Sequence, residues 1–204
     1  MSRVLRNELM SRDCYAHVIS RSIRSLKLFN DLEDFSFFKE SLLRAKQKSG
    51  FKIFHYCLMQ THFHLVVQMG DVKGFSFAVR DIKRDYVYKF HGKYKISGPI
   101  WRERYKSLLI ENESYLYACG KYIEDNPVKA EMVKESINWE YSSARHYELR
   151  QDDDLIDPYD TDCRVDKECM GSNQDFERGS VIGSDFYRFQ FFQSRRQNRP
   201  VPFE

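Results

Sequence analysis

Two histidines alternate with apolar side chains in the stretch Leu58-Met59-Gln60-Thr61-His62-Phe63-His64-Leu65-Val66-Val67. This β-favouring composition predicts a strand, on which residues i and i+2 project from the same face. His62 and His64 then share one face, while Phe63, Leu65 and Val67 point to the opposite, buried face. Two adjacent imidazoles can bind a metal, but a pair of histidines on a half-exposed strand has the same spacing. The spacing alone leaves both interpretations open.

A second informative segment lies further along the chain. A helix is predicted over Ser114–Asn126, because apolar side chains recur at i, i+3 and i+7 as Leu116, Cys119 and Ile123. Tyr122 falls on a neighbouring face, with Asn126 one turn beyond it at i+4. Pro127 disfavours helical geometry at the residue before it, so we expect the helix to end there. By itself, a tyrosine at such a position is more often an amphipathic core residue whose hydroxyl reaches water.

Together these segments resemble a known family. The His-x-His strand, followed by Tyr-Ile-x-x-Asn-Pro-Val-Lys-Ala at residues 122–130, is similar to the single-tyrosine HUH transposases. More narrowly, it resembles the REP-associated tyrosine transposases. Ile100–Ser107 is similar to the family's strand before this helix, and Trp139–Arg145 to its Trp-x-x-Ser-Ser-x-Arg stretch. The resemblance covers roughly residues 10 to 148, and its specificity comes from the joint occurrence of the motifs in order.

The resemblance assigns Tyr122 as the nucleophile that attacks a phosphodiester of single-stranded DNA. The product is a covalent 5′-phosphotyrosine with a free 3′ hydroxyl, and storage of the bond removes the need for a nucleotide cofactor. His62 and His64 would hold a divalent metal that polarises the phosphate, with Asn126 as a third ligand. The family is associated with Mg²⁺ or Mn²⁺, of which imidazoles suit Mn²⁺ better. The remaining histidines are interpreted as structural or surface residues: His17, His55, His91 and His146.

Positive charge is concentrated in the first part of the chain. Residues 1–150 hold 26 Lys and Arg against 18 Asp and Glu, whereas residues 151–204 hold 7 against 12. Arg102, Arg104 and Lys106 alternate along a predicted strand and are expected to share a face that suits a phosphate backbone. A solvated charged face is the commoner meaning of such a run, but the resemblance favours DNA binding for this triplet. A further basic cluster is predicted on a helix and its exit: Lys83, Arg84, Lys89, Lys93 and Lys95.

The resemblance also implies a substrate, a single-stranded DNA hairpin of the REP type with a flanking guide sequence. Trp101 and Tyr105 are candidates to stack on its unpaired bases. A domesticated hairpin-binding or regulatory protein would keep this fold without turnover, although His62, His64 and Tyr122 are all present. A replication initiator or relaxase of the HUH class fits less well with the Asn-Pro-Val-Lys-Ala ending and the short chain.

The order of the predicted elements indicates the fold class. One hairpin and two helical crossovers predict an α+β fold, with helices on one face of an antiparallel-containing sheet. This is the ferredoxin-like arrangement expected of HUH endonucleases. Gly50 is expected to close the first helix. The remaining predicted elements are, in order, strand Cys14–Ser22, helix Glu33–Lys48, strands Lys52–Met59 and His62–Met69, helix Phe75–Phe90 and strand Arg102–Ile110.

Three segments are predicted along the chain. Residues 1–149 form the HUH endonuclease domain, and residues 150–178 are acidic and poor in apolar side chains, as in a linker or loosely packed loop. Such an acidic segment could also gate a basic groove by mimicking DNA, but a solvated linker is the commoner case. Residues 179–204 form a C-terminal extension.

Composition bounds the class of protein. No stretch has the apolar length of a membrane span, and the N-terminus lacks a signal-peptide core. Five cysteines without a Cys-x-x-Cys pair argue against a disulfide framework and fit a reducing cytoplasm. By the resemblance we expect a monomer, in which Tyr122 serves His62 and His64 of its own chain. Gly120 could be a hinge for exchanging the helix between chains, but a packing role is the commoner one for a lone helix glycine.

Overall fold

The computed structural model describes residues 14–110 and 113–159. Two short 3₁₀ turns occur at Ile23–Ser25 and Ser136–Asn138. The strands and helices are β1 (Cys14–Arg21), α1 (Leu32–Ser49), β2 (Lys52–Met59), β3 (His62–Met69), α2 (Val72–Tyr94), β4 (Lys106–Ile110), α3 (Glu113–Glu124), α4 (Asn126–Lys129) and α5 (Ala144–Leu149).

The four strands form one sheet in the order β2-β3-β1-β4, in which every neighbouring pair is antiparallel. β2 and β3 are joined by a tight hairpin at Gln60 and Thr61, whereas α1 links β1 to β2 and α2 links β3 to β4. A central hairpin flanked by two helical crossovers is the ferredoxin-like arrangement. The predicted α+β fold class is therefore confirmed.

One face of the sheet carries the main apolar core. On β3, Phe63, Leu65 and Val67 are buried in this core, as the alternation along the strand predicts. Helices α1 and α2 cover the face, and their largest core side chains are aromatic: Phe35, Phe38, Phe75, Tyr86 and Phe90. Since aromatic rings bury large apolar areas, this layer is the main hydrophobic contribution to stability.

The opposite face of the sheet is covered by α3, which contacts β2, β3 and β4. The apolar stripe of α3, made of Leu116, Cys119 and Ile123, is buried as its spacing predicts. The expectation that helices lie on one face only is wrong, because α3 lies over the face that carries the histidines.

An irregularity in β2 decides which of its side chains face α3. The register with β3 shifts between Ile53 and His55. As a result, Ile53 and Tyr56 both join the core under α1 and α2, although strict alternation would place them on opposite faces. His55 faces α3 instead, where its Nδ1 lies 2.7 Å from Oε1 of Glu124.

Local capping explains where the long helices begin and end. The side chain of Asp31 accepts a hydrogen bond from the backbone nitrogen of Asp34 at the start of α1, and Asp71 does the same for Gly74 at the start of α2. Gly50 ends α1 with φ at 70°, in the left-handed region that glycine adopts freely. The predicted closure of this helix at Gly50 is confirmed.

Several predicted boundaries are wrong; α2, for example, extends from Val72 to Tyr94 rather than from Phe75 to Phe90. β4 begins at Lys106 rather than Arg102, because the chain bends through residues 102–104 after Trp101 bridges to Ser22. α3 ends at Glu124, slightly earlier than predicted. Pro127 then lies in the first turn of α4, where its missing N–H has no intrahelical partner to lose.

The described part of the acidic segment packs on the domain. Leu155 is buried in the core, the backbone nitrogen of Ile53 donates to Asp157 (2.8 Å), and the hydroxyl of Tyr56 donates to Asp153 (2.5 Å). Residues 153–157 are thus held by the sheet rather than forming a loose linker. The rest of that segment and residues 179–204 lie outside the described residues, and the division of the chain stays a prediction. No helix among the described residues has the length and hydropathy needed to cross a membrane.

Candidate active site

His62 and His64 lie at the beginning of β3 and share one of its faces, with ring centroids 5.0 Å apart. His64 is buried between Ile19 on β1 and Cys57 on β2, its neighbours across the sheet. His62 is the first residue of β3, and Arg21 on β1 lies opposite it in the antiparallel register. The alternation in the sequence therefore places the two imidazoles as predicted.

Burial sets the protonation state of both histidines. It lowers the pKa of His62 to about 3, with the charge of Arg21 acting in the same direction. Burial also lowers the pKa of His64 well below its usual value, with His62, His17 and Arg21 adding to the effect. Both rings are neutral near pH 7, which is the form in which imidazole binds a metal.

One ring nitrogen of His64 is satisfied and the other is not. Its Nδ1 lies 2.8 Å from Nε2 of His17. Its Nε2 is buried and has no hydrogen-bond partner among the described residues. A buried polar atom without a partner needs an explanation, and a bound ion is one. The histidine pair fits a divalent cation held through imidazole nitrogens.

Such a cation would need ligands besides the two histidines. Within the described residues, no group of three or more His, Cys, Asp or Glu side chains could hold a metal. Asn126 lies at the start of α4, and its side-chain nitrogen donates to the backbone oxygens of Tyr122 (3.2 Å) and Ile123 (3.0 Å). These bonds hold the amide beside the end of α3. A metal would bind the amide oxygen, which these two bonds do not use.

Tyr122 lies in the last turn of α3 and is partly buried. The ammonium of Lys129 lies 3.9 Å from the centroid of its ring. Burial lowers the pKa of Arg21, while the nearby phenol of Tyr122 acts to raise it and Arg102 to lower it. Because Arg21 also pairs with His62 across β1 and β3, it connects the histidine pair to the tyrosine helix. The structure brings Tyr122 and the two histidines to the same end of the sheet.

The sequence did not identify three residues of this region. His17 and Arg21 reach the site because β1 lies beside β3, and Glu124, at the end of α3, pairs with the buried His55 on β2. The regular spacing of His17 and Arg21 on one strand face was a signal, but strand order is needed to interpret it. A surface position is wrong for both His17 and His55, which are buried, and a structural role fits the contact of His55 with Glu124.

The predicted basic strand face is only partly formed. Arg102 and Arg104 are exposed but lie in the bend before β4, so they do not share a strand face with Lys106. The backbone nitrogen of Arg102 donates to the backbone oxygen of Arg21 (3.0 Å), which places Arg102 at the same end of the sheet as the histidines. Lys106 forms an ion pair with Glu103 (3.1 Å). Within the predicted triplet, the exposed cations are therefore Arg102 and Arg104, and the hydrogen bond to Arg21 ties Arg102 to the site.

Lys83 is not presented to a DNA backbone, contrary to its predicted role. Only 8% of Lys83 is exposed, and its ammonium donates to the hydroxyl of Ser20 (2.7 Å) and to the backbone oxygen of Glu103 (2.8 Å). The same ammonium lies 4.8 Å from the ring centroid of Trp101. Burial lowers the pKa of Lys83 to about 8, and Glu103 opposes this effect. Lys83 is a buried structural cation.

Carboxylates pair with three of the predicted basic residues on α2. Arg84 is half-exposed but pairs with Asp81 (3.0 Å) and Asp85 (3.1 Å). Lys89 and Lys93 form ion pairs with carboxylates at the beginning of α1: Asp31, Glu33 and Asp34. This helix therefore offers less uncompensated positive charge than its lysines and arginines suggest.

The two aromatic candidates for base stacking are engaged in the fold. Trp101 packs edge-to-face on Phe63 and donates its Nε1 hydrogen to the backbone oxygen of Lys83 (3.2 Å). Tyr105 packs edge-to-face on Phe75, and its hydroxyl lies 2.7 Å from that of Ser76. Both rings anchor the segment before β4 to the core, which does not match the expectation of free stacking platforms.

Comparison with known proteins identifies a family and a similar solved structure. The sequence model of the family "Transposase IS200 like" matches residues 10–126. A solved REP-associated tyrosine transposase bound to a REP hairpin is similar in fold, with a TM-score of 0.59 and 18% identity, over 73% of this chain and 88% of that chain. A crystal structure from Deinococcus radiodurans R1 aligns over 57% of this chain and 92% of that chain, at 17% identity. Its TM-score of 0.40 is too low to carry an argument. None of the curated proteins matches the chain.

Proposed function

Because the chain belongs to the IS200-like transposase family, we propose that it is a metal-dependent endonuclease and strand transferase acting on single-stranded DNA. The matched residues 10–126 include the whole predicted set, His62, His64, Tyr122 and Asn126. The observation that carries the proposal is the meeting of Tyr122, Arg21 and the histidine pair at one end of the sheet. In this proposal they supply a nucleophile, a fixed cation and two neutral imidazoles.

Tyr122 supplies the nucleophile in this proposal. Its phenolic oxygen attacks the scissile phosphorus, the bond from phosphorus to the 3′ oxygen breaks, and the 5′ phosphate stays on the tyrosine. The phenol loses its proton and the departing 3′ oxygen gains one, so the step is balanced. Attack of a 3′ hydroxyl on the phosphotyrosine rejoins strands by the reverse step. Arg21 provides positive charge beside the tyrosine, where negative charge develops on the phosphate.

His62 and His64 are the residues that would hold Mg²⁺ or Mn²⁺, with the amide oxygen of Asn126 as a further ligand. The ion would polarise the scissile phosphate. The neutral state of both rings supports this role, as does Nε2 of His64, which has no hydrogen-bond partner in the described part of the chain. Two imidazole ligands favour Mn²⁺ over Mg²⁺, which prefers oxygen ligands.

The substrate we propose is a DNA hairpin of the REP type with a single-stranded flank, bound by one chain. The fold match to a transposase solved with a REP hairpin supports this substrate. Arg102 and Arg104 would contact phosphates next to the site. A hairpin with its native flank should bind more tightly than the same hairpin with a scrambled flank or a random single strand. Equal binding of the three DNAs in a titration would contradict the proposed specificity.

Covalent capture of DNA tests the reaction itself. A labelled hairpin with a single-stranded flank, incubated with the protein and Mn²⁺, should give a protein–DNA adduct that survives denaturing gel electrophoresis. Tyr122→Phe should abolish the adduct, because phenylalanine has no nucleophilic oxygen, while DNA affinity stays within about twofold, since a single hydroxyl contributes little to backbone binding.

Tyr117→Phe is the matched control, since Tyr117 lies on the same helix but faces His55, with ring centroids 6.4 Å apart. That variant should still capture DNA. If the adduct still forms with Tyr122→Phe, Tyr122 is not the nucleophile. If the wild-type chain binds the hairpin but never forms an adduct with any metal, the domesticated hairpin-binding alternative is correct.

A further inference from the structure

A third histidine lies beside the proposed metal ligands. His17 is on β1, and its Nε2 is 2.8 Å from Nδ1 of His64. The two rings are stacked, with centroids 5.1 Å apart and planes 15° apart. His17 is fully buried and His64 is 1% exposed. The reaction proposed above does not use His17, so this contact needs a separate explanation.

The contact restricts where the ring protons lie. A hydrogen bond between two neutral imidazoles needs one N–H and one lone pair. Either His64 donates from Nδ1 to Nε2 of His17, or His17 donates in the reverse direction. In the reverse case, the proton of His64 would be on Nε2, which is buried and has no acceptor among the described residues. Burial alone does not choose between the two arrangements, because in the first one the remaining proton of His17 is on Nδ1, which is also buried. Only the first arrangement leaves on Nε2 of His64 the lone pair that a cation needs.

We propose that His17 is a positioning residue, which accepts a hydrogen bond from Nδ1 of His64 and thereby leaves a lone pair on Nε2 of His64 for a divalent cation. This inference rests on the proposed function, in which His62 and His64 are cation ligands. Histidines that bind metals usually donate their second ring N–H to a neighbouring acceptor, which sets the tautomer and the ring orientation. Here that acceptor is a buried imidazole from the adjacent strand rather than a carboxylate or a backbone oxygen.

The tautomer of His64 can be read without any metal. Long-range ¹H–¹⁵N correlation spectra of the full, metal-free chain should show His64 with its proton on Nδ1. In His17→Leu, which removes the acceptor but keeps an apolar buried side chain, the Nε2–H tautomer of His64 should become populated. In His17→Gln, the amide oxygen can accept the same bond, so the Nδ1–H tautomer should return. A wild-type His64 protonated on Nε2 would overturn the proposal.

Cation affinity gives the second readout. The affinity of the DNA-free chain for Mn²⁺ should fall about 10- to 100-fold in His17→Leu. Electron paramagnetic resonance of the unbound ion measures this affinity. His17→Gln should recover most of this loss. His91→Gln is a control on α2, outside the candidate site, and should bind Mn²⁺ like the wild type. Thermal unfolding by circular dichroism shows that each variant is folded. Unchanged Mn²⁺ affinity in a folded His17→Leu chain would contradict the positioning role.

The two proposals fail in different ways. If the wild-type chain binds no Mn²⁺ with or without hairpin DNA, the cation has no part in the reaction and the role proposed for His17 falls with it. If the wild-type chain binds Mn²⁺ but His64 is protonated on Nε2 in the metal-free chain, the proposed function stands and only the positioning role of His17 is wrong.

Discussion

At the residue scale, the lysines and arginines of this chain fall into two environments that composition does not separate. Arg102 and Arg104 are exposed at the end of the sheet that carries the histidines. Lys83 is buried against Trp101 and donates to Ser20. An exposed cation can displace counterions from a DNA backbone, whereas a buried, hydrogen-bonded cation cannot. The first two residues should contribute to DNA affinity, and Lys83 should contribute to stability.

Salt dependence of DNA binding should distinguish these environments. Arg102→Ala should weaken hairpin binding and reduce the slope of log affinity against log salt concentration by about 0.7 to 0.9 for each lost phosphate contact. Lys83→Met should leave the slope unchanged but lower the free energy of unfolding by about 1–3 kcal/mol, since Ser20 and the Glu103 carbonyl lose their buried donor. Fluorescence titrations at several salt concentrations and urea unfolding measure the two effects.

Arg84→Ala is a useful comparison, because Arg84 is exposed like Arg102 but is paired with Asp81 and Asp85. Arg84→Ala should therefore change the slope of log affinity against log salt concentration less than Arg102→Ala does. If Lys83→Met reduces the salt slope as much as Arg102→Ala, the buried interpretation of Lys83 is incorrect.

At the element scale, α3 holds Tyr122 in place through its contacts with β2. Glu124 lies 2.7 Å from Nδ1 of His55 and accepts a hydrogen bond from Ser143 (2.5 Å). The ring of His55 is also stacked on Tyr147, with centroids 4.3 Å apart. A fully bonded buried polar network is rigid, because any movement leaves buried groups without partners. The network therefore fixes the end of α3, the part of the helix that carries Tyr122.

Gly120 permits this close approach. A Cβ atom at residue 120 would lie 2.2 to 2.4 Å from the ring atoms of His55. His55 is held by Glu124, Tyr159 and Tyr147, so its ring has no free space into which it can retreat. The glycine is therefore a packing requirement rather than evidence of a hinge.

Gly120→Ala should lower the free energy of unfolding by about 1–3 kcal/mol, because overpacking outweighs the better helix propensity of alanine. Covalent DNA capture should fall with it, since α3 also carries Tyr122. Gly92→Ala is the matched control in α2, where a Cβ atom has no neighbour within 4 Å. That variant should gain about 0.5–1 kcal/mol. Urea unfolding measures both changes, and an equal response of the two glycines would disprove the steric argument.

At the scale of the whole molecule, the question is whether one chain builds the complete site. α3 packs on β2, β3 and β4 of its own chain, and the buried pair of His55 and Glu124 lies in this contact. Exchange of α3 between chains would require this buried pair to open in both. We therefore expect a monomer in which Tyr122 acts with its own His62 and His64.

Complementation between inactive chains tests this expectation. Tyr122→Phe and His64→Ala should each abolish covalent DNA capture, and an equimolar mixture of the two should stay inactive at micromolar concentrations. Adduct formation in the mixture would mean that the tyrosine of one chain serves the histidines of another. Sedimentation of the wild-type chain with and without hairpin DNA provides the independent measure of its oligomeric state.

The features that the sequence determined are those that local periodicity and short motifs encode. Alternation along β3 placed His62 and His64 on one face, and the helical spacing of Leu116, Cys119 and Ile123 gave the buried stripe of α3. Gly50 marked the end of α1. These patterns depend on neighbours within a few residues along the chain, which is why they are readable without a structure.

Only the tertiary structure decided which distant residues meet. The order of the strands put His17 and Arg21 of β1 next to the histidines of β3. The register shift in β2 turned His55 toward α3, and the packing of α2 against the segment before β4 buried Lys83. Each outcome depends on strand order, a change of register or the packing of distant elements. A local sequence pattern cannot predict such arrangements, because they are set by contacts between residues far apart in the chain.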